Sequence, residues 1–587
     1  MTPSRWAIAF VLAALVLPGA PRADDARPSE YEDQRLQKVL GEEHLTIDPA
    51  PDGKRIRRIL IVRKDVLADD EPFPTFLNAF HWRTRESTVA RELLFHVGEP
   101  WDQARVDESE RNLRGLVIFS IARVVPVQAD EEGAVDALVF TRDLWSLRVE
   151  TSFQVTDGFL NQLFVQLIER NFFGANTQAA LRFELLPKTW SLGEVFSDPR
   201  VLGGDLAFTE SFDLIFARDG SGLEGTRGTA ELGSPLRNLR QTWGWRLAVG
   251  YEDSVGRRIL GADVLDYDVP ETAETEAIPE VWDHLAVAAA VEGIYQEGHD
   301  VIHRLKFGFA ASDVTDDPRP GVPLSDDEER AFRRDVLPEL RRDWYPYLTW
   351  TGFVPEYTTL RDLAGYGISE DVRLGPWWSL SVKAPLEAFG SADDALVVSA
   401  SVGAIATPGG GLIDGVVGAT GRLQQGEVDD QVVEVRLRGA TPRLPFGRLV
   451  LFADWEGRRR DTTRTLVTLG GDNGLRGYAT DALYGVGASR LRLNAELRSP
   501  PVVVASAHIG AVLFWDGGAV YEDVDAFDFR QSVGLGLRLL FPQFNRFTFR
   551  LDAGVPLESG GFTVLLTFGT LQAVPLTALE DDKLSSE

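Results

Sequence analysis

The stretch Leu469-Gly470-Gly471-Asp472-Asn473-Gly474-Leu475-Arg476-Gly477-Tyr478 sets one arginine among glycines. A guanidinium is a planar fork that engages carboxylates bidentately, which lysine cannot copy. Glycines such as Gly474 and Gly477 let a loop tip turn tightly and approach a wall. Taken alone, Arg-Gly-Tyr is better read as an ordinary Gly-rich turn carrying a solvated arginine. Downstream, Glu496 falls in register with Arg492, Asn494 and Arg498 on the polar side of an alternating segment, and Asp516 lies in the next such segment, Leu513–Val520. No catalytic constellation is legible. The 7 histidines are scattered without metal-ligand spacing, and His81 and His96 read as partly buried domain residues. The absence of cysteine excludes thiolate zinc sites. No Gly-x-Ser-x-Gly elbow is found. Thr407–Gly411 is Gly-rich but lacks the Lys-Ser/Thr of a phosphate loop and reads as a turn. Asp429-Asp430 read as solvated turn carboxylates. Neither enzymatic activity, nor a cofactor, nor a metal is expected.

The elements that would position these residues are mostly strands. From about Trp145 to Phe568 apolar and polar residues alternate. Val533, Leu535, Leu537 and Leu539 alternate with Ser532, Gly534, Gly536 and Arg538; Phe549 and Leu551 alternate with Arg550 and Asp552. About twenty strand-like segments are legible. Alternation alone fits a soluble sandwich or a membrane barrel. A near-neutral mean hydropathy of −0.10 fits a barrel whose strands face lipid on one side and lumen on the other. Strands of roughly ten residues, long enough to cross a tilted bilayer path, favour the barrel. So does the N-terminus: Arg5, the apolar run Trp6–Leu17 and a small-residue stretch to Ala23 read as a signal peptide, residues 1–23.

Residues 24–53 are polar and proline-bearing and read as a flexible lead. Residues 54–142 read as a compact α/β module: a strand at Arg57–Arg63, a helix over Ser87–Val97 with Ser87 as N-cap, a break at Gly98-Glu99-Pro100-Trp101, a helix over Asp102–Leu116, and strands at Ile118–Val127 and Ala134–Thr141. Residues 143–570 form the barrel region and 571–587 an acidic tail. The net charge of −29 argues against a nucleic-acid partner. Acid-rich stretches at Asp263–Asp283 and Asp313–Glu329 read as solvated loops.

The strand–helix–helix–strand–strand order, with Gly-Glu-Pro-Trp between the helices and Phe119-Ser120 after them, resembles the POTRA module. The Arg476-Gly477-Tyr478 stretch, followed in order by Glu496 and Asp516, resembles the signature of the BamA/TamA-type outer-membrane assembly factor superfamily (POTRA plus bacterial surface antigen barrel). Glu169–Gly174 and Ser197–Arg200 resemble its early-barrel turns. The resemblance spans Lys54–Phe568. It departs in having one POTRA-like module, acidic insertions and an acidic tail. It implies a mainly β fold: a transmembrane antiparallel β-barrel of about sixteen strands preceded by one small α/β POTRA-like domain. It also implies a lumen loop carrying Gly474, Arg476, Gly477 and Tyr478, with Glu496 and Asp516 receiving the arginine. The closing strands would be Ser532–Phe541, Phe549–Pro556 and Phe562–Phe568. The implied function is insertion or translocation of proteins at the cell outer membrane by strand templating at a seam between about Trp145–Val155 and Phe562–Phe568, with the N-terminal domain in the periplasm. Implied partners are unfolded outer-membrane or secreted proteins, outer-membrane lipid and accessory lipoproteins. A dedicated two-partner-type secretion pore and a passive channel or structural barrel stand as alternatives.

Overall fold

From Leu147 onward each long strand pairs antiparallel with its sequence neighbour, and the last, Leu565–Gly569, lies beside the first, Leu147–Thr156, closing a barrel. This computed structural model describes residues 29–156, 159–269, 277–319, 321, 323–339, 341–557, 565–569 and 572–576. The expected signal peptide and the end of the acidic tail lie outside the described residues.

The order around the wall runs through twenty-two described segments. Two of these, Glu356–Arg361 and Val502–Val504, are short hairpin arms beside strands that also pair directly past them, which leaves twenty staves. The expectation of about sixteen strands is therefore corrected. An antiparallel barrel closes with any even number, so added hairpins widen the wall without breaking it. The count read from alternation was the better guide than the number implied by resemblance.

Which face meets what is decided by burial. Leu181, Val249, Val402, Leu513 and Leu535 stand 60%, 57%, 57%, 53% and 66% exposed, on strands spread around the wall. In a soluble sandwich such side chains would be core. A continuous exposed aliphatic belt fits lipid. The opposite face carries buried polar groups, among them Asp213, Asp414, Arg438, Glu496, Arg498, Asp516, Arg538 and Asp552. No described helix is long and apolar enough to cross a membrane.

We call the barrel end beside the N-terminal domain proximal and the other distal. Val281–Gly298 and Ile302–Pro318, of 18 and 17 residues, exceed what a bilayer crossing needs and extend the wall distally. The acid-rich stretches are more ordered than loops. Asp313–Pro318 continues a strand, and Asp326–Asp335 is a helix started by a Ser325/Glu328 capping box. Its Phe332 packs with Val269, Ile278 and Val336. Asp430 is likewise no solvated turn residue: it lies within the strand Glu427–Ala440 and accepts hydrogen bonds from Thr462 N at 2.9 Å and Thr462 Oγ1 at 2.7 Å.

In the N-terminal domain, strands β1 (Arg55–Lys64), β2 (Phe119–Gln128) and β3 (Ala134–Asp143) form a sheet in the order β1-β3-β2, with β1 parallel and β2 antiparallel to β3. The lead is not flexible throughout. Glu30–Glu42 is helix α1, capped by Ser29, and its Leu36, Val39 and Leu40 close one face of the sheet against Ile121, Val125, Leu138 and Phe140. Its polar composition hides the apolar stripe. Helices α2 (Glu86–Ala90) and α3 (Gln103–Gly115) cover the other face, where Val89, Trp101, Val106, Leu113 and Phe119 are buried. The first of these is shorter than the expected Ser87–Val97, and Ser87 lies inside it rather than at its N-cap, Arg85. Leu94 N donates to Ser109 Oγ at 2.8 Å instead of continuing the helical ladder, and Leu93 and Phe95 turn into the core. His81 is in contact with Asp143 and Ser146, while His96 is exposed rather than partly buried.

Burying an aliphatic side chain contributes about 1.5–3 kcal/mol, offset by the entropy of ordering the helix. A fragment beginning at Lys54 and ending at Asp143 is therefore expected to be less stable than one beginning at Ser29 by about 2–4 kcal/mol. The check is the urea midpoint of the two fragments; equal midpoints would show that α1 contributes nothing.

Candidate functional site

The proximal mouth is crossed from inside by two segments. The hairpin formed by Glu356–Arg361 and the start of Ser369–Lys383 carries a tip whose backbone is reached by the far wall. Arg498 Nη1 donates to Leu363 O at 2.6 Å, Thr548 Oγ1 to Ala364 O at 3.2 Å, and His508 Nδ1 lies 2.7 Å from Tyr366 O. Glu370 gathers the tip by accepting from the backbone N–H of Leu363, Ala364 and Gly365 at 2.8–3.0 Å. The chain after the last strand also turns inward. Arg498 Nη2 donates to Val574 O at 2.7 Å and Arg538 Nε to Gln572 Oε1 at 2.8 Å. Val574 and Leu576 share an apolar cluster with Leu360, Leu363, Leu412, Val450 and Phe452. Residues 572–576, expected as part of an acidic tail, thus fill the bore, because this stretch is apolar and the charges come after it.

From the distal end a second insertion meets them. The hairpin Leu466–Leu469 and Leu483–Val486 carries the Gly-rich stretch at its tip. Arg476 is 1% exposed. Its Nε and Nη2 donate to the two oxygens of Asp516, each at 2.8 Å; Nη1 donates to Glu496 Oε1 at 2.7 Å and to Asp552 Oδ2 at 3.0 Å. Its backbone N–H also donates to Asp516, at 3.0 Å, and its guanidinium carbon sits 3.7 Å from the centre of the Phe514 ring. The expected trio of Arg476, Glu496 and Asp516 is brought together, with the bidentate geometry the residue types suggested. Gly477 has φ +94°, and a β-carbon there would lie 2.8 Å from Val555 N; Gly554 opposite would meet Gly477 N at 2.6 Å. The two backbones touch only because both residues are glycine. Gly474, at φ +98°, turns its carbonyl to Asn494 Nδ2 at 2.9 Å, and Tyr478 Oη donates to Gln531 O at 3.2 Å.

Sequence reasoning missed Asp552, Asn494, Arg498 and Arg538 as partners. The signal was present, since all four stand on the polar side of alternating strands, but alternation does not say which strands face the loop. Among the described residues, arginines 476, 498, 538 and 550 interleave with Asp472, Glu496, Asp516 and Asp552, so burial leaves no unbalanced charge. Arg498 joins the two ends: Nε donates to Glu496 Oε2 at 2.9 Å while its other nitrogens hold the proximal hairpin and the chain end.

Residues 465–561, the loop with its acidic partners and most of the closing strands, match the sequence profile of the Omp85 superfamily domain. Residues 465–561 carry an Omp85 superfamily domain. This domain thus comprises the distal insertion, the wall that receives it and the strands leading to the seam. Barrels of this superfamily lie in the outer membrane. Similar solved structures are a BamA from Haemophilus ducreyi lacking POTRA domains 1–3 (12% identity, 92% of this chain and 91% of that one, TM-score 0.34), CdiB from Acinetobacter baumannii (11%, 88% and 73%, 0.39) and CdiB from Escherichia coli (12%, 90% and 78%, 0.38). No curated protein matches this chain in sequence.

The barrel wall meets the N-terminal domain through paired polar groups. Arg114 of α3 makes a bidentate contact with Asp371 at 2.7 and 2.8 Å, and Glu32 of α1 accepts from Ser369 Oγ at 2.6 Å. Glu71 accepts from Gln543 Nε2 at 3.0 Å and from Arg142. Burial would raise the Glu71 carboxyl, but the Arg142 guanidinium outweighs this and holds it below the usual range.

Proposed function

We propose that this protein inserts or folds β-strand clients at the outer membrane, or passes them across it, by pairing them with strand edges at the seam between Leu147–Thr156 and Leu565–Gly569. One observation carries the reading. The bore is entered from both ends by chain hydrogen-bonded to the wall: Arg498 holds the proximal hairpin and the segment after the last strand, and its partner Glu496 receives Arg476 of the distal insertion. A passive channel needs a clear bore; a filled one leaves the wall as the working surface, and an opened seam presents unpaired N–H and C=O groups to an incoming strand.

In this reading the N-terminal domain is POTRA-like, lies in the periplasm and offers a strand edge to unfolded outer-membrane or secreted proteins. Accessory lipoproteins and outer-membrane lipid are its other partners. The protein is not an enzyme and uses neither nucleotide nor cofactor; strand pairing supplies the free energy.

Depletion of the protein followed by quantitative outer-membrane proteomics tests the proposal. The expected result is loss of several barrel proteins. Loss of a single secreted protein would make the barrel a dedicated secretion pore, and an unchanged proteome would leave it a structural barrel.

A further inference from the structure

The barrel's proximal rim carries an aromatic feature that neither the lumen site nor the seam uses. Between β1 and α2, residues 72–80 read Pro-Phe-Pro-Thr-Phe-Leu-Asn-Ala-Phe, nine residues without a charge, and Trp82 follows. Thr75–Phe80 is a 3-10 helix. Phe76 and Phe80 are 67% and 65% exposed, and Trp82 is 47% exposed. Exposed aromatics this close together on a soluble surface would be costly and adhesive.

The segment is held firmly by its polar side. Asn78 exchanges hydrogen bonds with the backbone of Leu67, at 3.0 and 2.9 Å. The His81 ring nitrogens lie 2.9 Å from Asp143 Oδ2 and 3.0 Å from Ser146 Oγ, at the base of the first barrel strand. Asn171 Nδ2 donates to Trp82 O at 3.1 Å. At one end Phe73 packs edge-on against Phe541 and Phe544, with ring centres 6.2 and 4.9 Å apart. At the other, Trp82 lies 4.9 Å from Phe173, in the turn after the second barrel strand. Since the wall order runs from the strand Phe549–Pro556 through Leu565–Gly569 to Leu147–Thr156 and Phe159–Phe172, these two turns flank the seam. The segment therefore bridges the seam's proximal edge.

We infer that residues 73–82 are a membrane-interface anchor, whose Phe76, Phe80 and Trp82 side chains enter the headgroup–acyl boundary of the leaflet at the proximal rim. Lipid is the occupant these observations select. Phe73 and Trp82 pack on Phe541, Phe544 and Phe173 in the proximal turns of a wall whose outer face is lipid-facing, and aromatic residues with one apolar face and a fixed polar backing collect at that boundary. An uncharged run offers nothing to a charged protein partner. The inference rests on the barrel lying in a membrane and not on strand templating, so either can fail alone.

The test uses the full chain, which has no native cysteine. Phe76→Cys and Phe80→Cys are each labelled with a nitroxide and placed, one copy per disc, in nanodiscs of phosphatidylethanolamine and phosphatidylglycerol. Leu181→Cys on the lipid-facing wall is the lipid reference, and Glu131→Cys, in the exposed turn between β2 and β3, is the water reference. Phe76 and Phe80 are exposed, so their replacement leaves the core intact. Collision of the label with oxygen relative to a water-soluble nickel complex is expected to rise several-fold over the Glu131 value, towards that at Leu181. A ratio equal to the Glu131 value would overturn the inference. So would a lipid-like ratio found only in crowded vesicles, which would assign the patch to a second copy, or shielding found only in native membranes, which would assign it to another protein.

Discussion

Arg476→Ala is expected to release the distal insertion from the wall while leaving a barrel that still inserts. Breaking a buried ion pair by removing one partner costs about 3–5 kcal/mol, because the remaining charges are stranded. Here Asp516 would lose its two side-chain donors from residue 476, and Glu496 and Asp552 one each. The backbone donor can survive only if the loop stays in place. At about 1.4 kcal/mol per tenfold, the released state gains population by roughly two to three orders of magnitude. Limited proteolysis between Leu469 and Leu483 of protein in intact membranes should detect this directly, together with loss of activity. Arg476→Lys should recover only part, since an ammonium cannot span both oxygens of Asp516 and also reach Glu496 and Asp552. Unchanged protease resistance in Arg476→Ala would mean that the glycine contacts alone hold the loop, and the arginine would lose its assigned role.

Locking the seam is expected to abolish client insertion. Phe153 and Phe568 stack across it with ring centres 5.6 Å apart and planes 17° from parallel. The two side chains meet from neighbouring strands, so Phe153→Cys with Phe568→Cys should form a disulfide under oxidation. A cysteine-free background ensures that the bond is the only one. Insertion of a barrel substrate into vesicles should fall to background when the pair is oxidised and recover with reductant, while each single variant stays active. Full activity of the oxidised protein would place the chemistry elsewhere than at this seam.

Much of this was legible in the chain because it is local. A strand's two-residue period puts Glu496, Asp516 and Asp552 on one face whatever the neighbours are. Gly474 and Gly477 mark a tight turn by type alone. The α/β module announced itself through short apolar periods and the break at Gly98–Trp101. What misled were segments whose composition contradicts their placement. Helix α1 is mostly polar, yet its three aliphatics cover one face of a sheet. The chain after the last strand was read as acidic tail, although Val574 and Leu576 are apolar and buried.

By itself, then, the sequence determined the face each side chain takes in its own strand and the chemistry available to one arginine. Only the tertiary structure decided how many staves close the barrel, that Asp552 joins Glu496 and Asp516 around Arg476, and that a proximal hairpin and the chain end fill the bore. The reason is that closure and filling are long-range outcomes. They depend on which strands come to face one another across the lumen, and the two-residue period carries no record of that. Arg498 shows the difference: its position in the alternation says it points inward, and only the assembled barrel places Glu496, Leu363 and Val574 within its reach.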